Sequence, residues 1–207
     1  TQNIKLKIAF SCILFSSLAL FAQNETSKWY FGNNAGIDFM TSPPSSILGG
    51  QLSTAEGCSG IADASGNLLF YTDGITVWNS TNAIMANGTG LDGDPSSTQS
   101  AVVVKQPGNS NIYYIFTMAC CNSPVGLKYS TVDMNLSGGL GSVTVVNATL
   151  AGVSSERLTS VKHCNGIDTW VLSQDGVNGD FRAHLVTSAG VNPVPVISAI
   201  GSNAATG

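Results

Sequence analysis

The segment SGIADASGNLLFYTDGITVWNST, residues 59–81, carries the clearest fold signal in the chain. It contains two short apolar and β-branched runs, 68–72 and 76–79, separated by turn residues. Gly and Asn supply the positive φ angles of tight turns, whereas Phe, Tyr, Val and Trp suit a pleated, half-buried surface. Together with a strand at 60–63 and a turn at 64–67, the segment predicts an antiparallel meander.

The same order of strands recurs twice downstream. The predicted first, second and third strands are 60–63, 68–72 and 76–79, then 101–105, 112–118 and 127–133, then 159–163, 169–174 and 181–187. A weaker fourth strand follows, clearest at 142–146 and 194–198. Four antiparallel strands per unit are typical of a β-propeller blade. The sequence therefore predicts an all-β fold with blades at about 58–99, 100–152 and 157–200, preceded by strands within 28–55; a β-sandwich is the alternative.

Three blades do not close a ring, because propellers contain about four to eight blades. The chain also ends in a polar stretch, 202–207, without a predicted closing strand. We therefore expect residues 24–207 to be a partial propeller from a longer protein, with a seven-bladed ring as the expected complete form.

The composition supports a turn-rich β protein. Hydrophobic residues make up 43% of the chain and charged residues 10%, well below the ~25% charged share of a typical soluble domain. The net charge is −4, and two of the eight basic residues, Lys5 and Lys7, lie near the start of the chain. An acidic surface without a basic stripe argues against nucleic acid as a partner.

The first 23 residues, TQNIKLKIAFSCILFSSLALFAQ, have the three regions of a secretory signal peptide. Lys5 and Lys7 provide the positive region, 8–21 the apolar region and Ala22 the small residue at the cleavage point. The apolar run is shorter than the ~20 residues of a membrane-spanning helix. The sequence therefore predicts a secreted or cell-surface protein with no membrane span after cleavage of residues 1–23.

Four stretches are similar to a known family: WYFGNNAGIDF (29–39), EGCSGIADASGNLLFYTDGITVWN (56–79), MANGTGLDGDPSSTQSAVVV (85–104) and IYYIFT (112–117). They resemble the N-terminal β-propeller-like domain of very large surface proteins from gliding bacteria with type IX secretion. In that family PKD-type or other Ig-like repeats and a C-terminal gliding-motility-associated sorting domain commonly follow. The resemblance implies an exported protein with an adhesive or scaffolding role, and it supplies no functional residues.

The loop 91–98, LDGDPSST, places side-chain oxygens at alternate positions, as the first ligands of a calcium loop do. The candidate ligands are Asp92, Asp94, Ser96 and Thr98. Two positions depart from that pattern, because Ser97 replaces the sixth-position Gly and Val103 replaces the twelfth-position Glu. Calcium is therefore a candidate cofactor, and a polar turn before the next strand is the alternative.

Catalytic candidates are few. His163 ends a predicted first strand and would form a Ser–His–Asp set with Ser160 and Asp168, but no GxSxG motif accompanies them. Glu56 and Glu156 precede first strands of two units, where a propeller would bring them to one face, and paired carboxylates of that kind serve glycosidases. Polar loop ends are the alternative, so no catalytic residue is predicted.

Four cysteines follow the predicted leader: Cys58, Cys120, Cys121 and Cys164. In a blade, the start of the first strand, where Cys58 lies, shares a face with the loop between the second and third strands, where Cys120 and Cys121 lie. Cys164 lies in a turn on the opposite face. We therefore predict a disulfide from Cys58 to Cys120 or Cys121.

Trp29, Trp78 and Trp170 occur once per unit and are expected to fill the space between blades, with sugar stacking as a second role. The sequence thus predicts a non-catalytic module for adhesion, ligand binding or scaffolding. Its expected partner is an extracellular polysaccharide or another surface protein. The alternative is a carbohydrate-active propeller, either a lectin or a glycoside hydrolase.

Overall fold

The structure is a computed structural model that describes residues 24–200, and it is all-β, as predicted. The predicted leader at 1–23 and the tail at 201–207 lie outside the described residues. No helix between residues 24 and 200 is long and apolar enough to cross a membrane. The first sheet has three antiparallel strands, β1 (Lys28–Phe31), β2 (Ala35–Asp38) and β3 (Ser45–Ser46).

Two antiparallel meanders of four strands follow. The first comprises β4 (Ser59–Ala62), β5 (Leu68–Thr72), β6 (Thr76–Asn79) and β7 (Ile84–Thr89). The second comprises β8 (Ala101–Lys105), β9 (Ile112–Met118), β10 (Leu127–Asp133) and β11 (Ser142–Ala151).

One parallel pair, Ala86 with Ser142, joins the two meanders through β7 and β11. All eight strands therefore form one sheet in the order β4-β5-β6-β7-β11-β10-β9-β8. The two end strands also contact each other, since the backbone N–H of Val103 donates to Oγ of Ser59 at 3.2 Å. The eight-stranded sheet is thus nearly closed.

The last sheet contains β12 (Ser154–Lys162), β13 (Thr169–Asp175), β14 (Phe181–Thr187), β15 (Gly190–Val191) and β16 (Val196–Ser198). The strands β12, β13 and β14 form an antiparallel meander, and β14 pairs with both β15 and β16. The predicted order of first, second and third strands is therefore confirmed in all three units. The strand β12 starts earlier than predicted, at Ser154, and its pairing with β13 contains an irregularity before Leu158.

Adjacent residues of β5 and β9 are buried in different cores. Phe70 and Tyr113 meet edge to face, with ring centroids 5.6 Å apart, in a core to which all eight strands of the large sheet contribute. Tyr71, the neighbour of Phe70, stacks on Tyr30 of the first sheet at 4.0 Å. Tyr114, the neighbour of Tyr113, belongs to the core shared with the last sheet. Successive side chains of a strand point to opposite faces, so both faces of these strands are covered.

The loops that lead into β4 and β8 are in backbone contact. The N–H of Gly57 donates to the carbonyl of Ser97 at 3.1 Å. A Cβ atom at Gly57 would lie 2.3 Å from the backbone N of Ser100 and 2.6 Å from Cα of Gln99. Only a residue without a side chain therefore permits this approach, because backbone atoms cannot move aside as a flexible side chain can.

His184 of β14 is fully buried, and its Nδ1–H donates to the carbonyl oxygen of Asn192 at 3.1 Å. Its Nε2 has no hydrogen-bond partner within residues 24–200. Burial lowers the pKa of His184 below its ordinary value of 6.5, because an imidazolium ion there would lose its hydration. The folded protein therefore holds His184 neutral at pH values where the unfolded chain protonates it.

Replacing Gly57 by Ala should destabilise the fold. The added methyl group forces the backbones of the two loops apart, at a cost of about 1–3 kcal/mol, which lowers the melting temperature by roughly 2–12 °C. Thermal unfolding followed by circular dichroism measures the change. Gly152→Ala is the matched control, because a Cβ at Gly152 meets no atom within 4 Å. Equal melting temperatures for the two variants would contradict the close approach.

Acidification should destabilise the protein through His184. Below pH 6.5 the unfolded chain gains a proton at this residue that the folded protein does not, so the unfolding free energy falls by up to about 1.4 kcal/mol per pH unit. Urea unfolding between pH 5.5 and 7.5 measures that slope. His184→Gln should flatten it, because glutamine does not titrate. If the pH dependence persists in His184→Gln, another titrating group causes it.

Candidate functional site

Hydrogen bonds gather the loops before β4, β8 and β12, together with the β9–β10 loop, at one end of the sheets. We call this surface the loop face and define it by residues 54–58, 91–99, 119–126 and 153–157. Besides the bond between Gly57 and Ser97, Oγ1 of Thr54 donates to the carbonyl of Pro95 at 3.3 Å. These bonds join segments 54–58 and 91–99, and Glu156 joins 153–157 to 91–99 and 119–126.

Glu156 ties two other loops to the start of β12. Its Oε2 accepts hydrogen bonds from the N–H and Oγ1 of Thr98, both at 2.9 Å, and its Oε1 accepts one from the N–H of Cys121 at 2.9 Å. The backbone N–H of Thr98, and then that of Cys121, lower the pKa of Glu156 because they stabilise its carboxylate. Both oxygens thus hold loops in place. The other predicted carboxylate, Glu56, is exposed.

Three of the four predicted calcium ligands, Asp92, Asp94 and Thr98, have side-chain partners within the protein. Asp92 forms an ion pair with Lys128 of β10. Oδ1 of Asp94 accepts the N–H of Ser96 at 2.8 Å, which closes a local turn, and Thr98 is engaged by Glu156. Within residues 24–200, no three side chains of His, Cys, Asp or Glu form a cluster that could hold a metal ion. Calcium binding at this loop stays a prediction.

The predicted disulfide from Cys58 to Cys120 or Cys121 is not formed in the structure. All four described cysteines are free thiols. Sγ of Cys58 donates to the carbonyl of Tyr30 in β1 at 3.2 Å, so this side chain is directed at the first sheet. Cys120 and Cys121 instead line a cavity of about 410 Å³ together with Asp94 and other residues of both loops. The four loop segments do share one surface, but the thiols on it face different neighbours.

Two residues of the hypothetical Ser–His–Asp set, His163 and Asp168, form hydrogen bonds within the turn between β12 and β13. The Nδ1 atom of His163 accepts the N–H of Asn165 at 3.1 Å, and Oδ2 of Asp168 accepts from the Asn165 side chain at 2.8 Å. No side-chain hydrogen bond joins Ser160, His163 and Asp168 in the described part of the chain. The structure therefore does not bring these three residues together as a catalytic set.

An aromatic cleft lies beside the loop face, between the first sheet and β4. It encloses about 670 Å³, and Trp29 with Phe39 provides its most exposed rings, with 55% and 44% of their surfaces accessible. The two ring centroids are 5.0 Å apart in an edge-to-face arrangement, and Nε1–H of Trp29 donates to the carbonyl of Thr26 at 2.9 Å. The other residues that line this cleft are Thr26, Tyr30, Phe31, Ile37, Cys58, Ser59, Gly60 and Gln99.

The three tryptophans have different environments, although the sequence predicts one role for them. Trp78 is buried and stacks on Tyr71, with centroids 5.5 Å apart, as expected for a packing residue. Trp170 is half-buried beside His163. Trp29 differs because its neighbour Tyr30 takes the covered face of β1, which leaves Trp29 on the open face.

Gln99 borders both the aromatic cleft and a second cavity, and no sequence motif indicated it as a site residue. It lines the aromatic cleft and also a cavity of about 320 Å³ that contains Glu156, Phe181 and residues of β12 and β13. Its Nε2 donates to the carbonyl of Ala101 at 2.8 Å, which fixes the side chain between the two spaces.

No protein-family model, no curated protein and no solved structure matches this chain.

Proposed function

We propose that the chain is a non-catalytic binding module of an exported or cell-surface protein, and that its aromatic cleft binds a neutral polysaccharide. The observation that carries the proposal is the pair of exposed, mutually packed rings of Trp29 and Phe39 in a cleft of about 670 Å³. The predicted leader and the family resemblance support export.

The chemistry of the cleft favours a sugar chain. Its walls are mostly apolar and aromatic, which suits the C–H faces of pyranose rings, and Ser59, Thr26 and Gln99 supply hydroxyl and amide groups for hydrogen bonds. None of the described residues that line it is charged, which favours an uncharged ligand. Because Gln99 also lines the second cavity, a ligand of several sugar units would contact both spaces.

The arrangement of strands supports a propeller as the scaffold. Four-stranded meanders succeed one another along the chain, and their first strands are adjacent, since β4 contacts β8 and β8 contacts β12. The meanders β4–β7 and β8–β11 each contribute to two cores, one on either face. In a two-layered β-sandwich, by contrast, each sheet buries only one of its faces in the core. Binding residues commonly lie on loops that a rigid scaffold positions, and in a propeller the loop face would be the surface where the loops of several blades meet.

The hydrogen bonds of Glu156 support a non-catalytic role. A general acid or nucleophile in a glycosidase needs an oxygen free to reach the glycosidic bond. The carboxylate of Glu156 instead accepts three hydrogen bonds from two loops.

Replacing Trp29 by Ala should weaken polysaccharide binding. Loss of the exposed indole removes the main stacking surface, so the dissociation constant should rise at least about tenfold, or about 1.4 kcal/mol. A glycan array with the full-length protein identifies the ligand, and isothermal titration calorimetry then measures the affinity.

Trp170→Ala is the matched control for that measurement, because it removes the same side chain from a position outside the cleft. It should leave the affinity unchanged. The proposal is wrong if Trp29→Ala binds as tightly as the wild type, or if the wild type binds no neutral glycan. Turnover of a glycan by the wild type would instead favour the hydrolase alternative.

Replacing Glu156 by Gln should lower stability by about 1 kcal/mol at pH 7, because an amide cannot accept all three hydrogen bonds. Because the pKa of Glu156 is lowered, its contribution is fully present above pH 4.5 and is lost as the pH falls through the lowered pKa, so the difference between the two proteins should narrow in acid. Chemical unfolding at pH 7 and at a series of lower pH values measures this effect. Glu56→Gln, which removes the same charge from an exposed loop, should have no effect. If Glu156→Gln abolished a hydrolase activity without loss of stability, Glu156 would be catalytic.

A further inference from the structure

The β9–β10 loop carries two adjacent thiols, Cys120 and Cys121, on the loop face. Cys121 is exposed and Cys120 is half-buried. The backbone of Cys121 has a φ of 64°, and the N–H of Ser123 donates to the carbonyl of Cys120 at 3.0 Å, which closes a tight turn. The bond from the N–H of Cys121 to Glu156 holds this turn against the start of β12. The two thiols are therefore presented together on an anchored turn.

The other described thiols are placed away from this pair. The side chain of Cys58 is directed at the first sheet, where its Sγ bonds to the carbonyl of Tyr30. Cys164 follows the far end of β12, whereas Glu156, which contacts Cys121, lies near its start. A strand advances about 3.3 Å per residue, so the stretch from 156 to 162 alone spans about 20 Å. Each thiol of the pair therefore has the other as its neighbouring sulfur.

We propose that Cys120 and Cys121 are a redox-active vicinal dithiol, which forms an intramolecular disulfide by exchange with a small-molecule disulfide. The proposal concerns a modification site and does not depend on the ligand of the aromatic cleft. The proposed bond differs from the disulfide predicted from the sequence, because it joins two adjacent residues and does not involve Cys58.

The exchange proceeds in two steps that balance. The thiolate of Cys121 attacks one sulfur of the small disulfide and releases the first small thiol, which leaves a mixed disulfide on Cys121. Cys120 then gives up its proton and attacks the Cys121 sulfur, which releases the second small thiol. The net result is that two protein thiols are oxidised and one small disulfide is reduced to two thiols.

The surroundings of the two thiols determine which one reacts first. Cys121 reacts first because it is exposed, and thiolate formation and access control exchange. Hydrogen bonding to the Cys121 thiol, together with burial and the nearby carboxylate of Asp94, raises the pKa of Cys120 to about 12. Cys120 is therefore a poor nucleophile toward molecules in solution. Its attack on Cys121 is intramolecular, so proximity compensates for the low thiolate fraction.

The resulting disulfide should be easy to reduce. Consecutive Cα atoms lie about 3.8 Å apart, which is shorter than the usual 4.4–6.8 Å between bridged cysteines. A ring formed under that constraint is strained, and strained, exposed disulfides are the labile ones. The pair thus suits a reversible modification of the loop face rather than a permanent staple.

Peptide mapping of the full-length protein tests the proposal. After incubation with glutathione disulfide at pH 8 and alkylation of the remaining thiols, the peptide that contains residues 120 and 121 should be unalkylated and lighter by two hydrogens. Dithiothreitol should reverse the change. In Cys120→Ser, Cys121 should instead accumulate as a stable mixed disulfide with glutathione, and in Cys121→Ser the reaction of Cys120 should be at least about tenfold slower.

A second probe and a control variant keep the test sharp. Phenylarsine oxide condenses with two neighbouring thiols and releases one water, so it should bind the wild type one to one and bind either single variant at least about tenfold more weakly. Cys58→Ser/Cys164→Ser, which retains only the pair among the four described cysteines, should behave like the wild type in both assays. A stable mixed disulfide on Cys121 of the wild type, a cross-link to Cys58, or no reaction at all would overturn the proposal.

Discussion

The structure depends on one constraint, which is that both faces of strands β5 and β9 are buried. Phe70 and Tyr71 are neighbours in sequence but belong to different cores, and Tyr113 and Tyr114 repeat this arrangement. A strand buried on both faces needs packing partners on either side: the core inside the nearly closed large sheet covers one face, and the first or the last sheet covers the other. This requirement also explains why LLFYT and IYYIFTM are almost continuous apolar runs without polar alternation.

The same packing brings the loops before the first strands of the meanders together, and the candidate site results from it. Because β4, β8 and β12 are neighbours, Gly57 reaches the backbone before β8, and Glu156 reaches across to Thr98. Gln99 lies between these two contacts and therefore borders both the aromatic cleft and the cavity beside Glu156. The core, the hydrogen bonds between the loops and the proposed binding surface thus all follow from the same packing of the sheets. The turn that carries the two thiols is held by the same side chain, since Glu156 accepts the N–H of Cys121.

The sequence was sufficient for the strands and insufficient for the directions of single side chains. Dense β-branched and aromatic runs bounded by Gly and Asn located β5, β6, β9, β10 and β14, because those signals are local. The predicted disulfide is not formed, and the sequence could not show this. The order of strands indicates at which end of a sheet Cys58 lies, but it does not indicate where the sulfur points. The partner of Asp92 is Lys128, 36 residues away, and no local pattern reveals it. The exposure of Trp29 depends on which sheet covers β1, so it also requires the tertiary structure.

Exposed apolar side chains lie on both the first and the last sheet, and their chemistry separates the two surfaces. The last sheet exposes mainly branched aliphatic residues, among them Val161, Val196 and Ile197. Such side chains offer contact area but neither a flat ring nor a polar edge that would orient a hydrophilic ligand. Trp29 presents a flat ring whose orientation is fixed by its bond to Thr26 and by Phe39, with the amide of Gln99 lining the same cleft. Binding of an uncharged, hydroxyl-rich chain needs that combination of a rigid aromatic surface and a few convergent polar groups. The proposed ligand surface therefore lies on the first sheet, and a bound chain that extended from Trp29 past Gln99 would reach Glu156 and Phe181 of the second cavity.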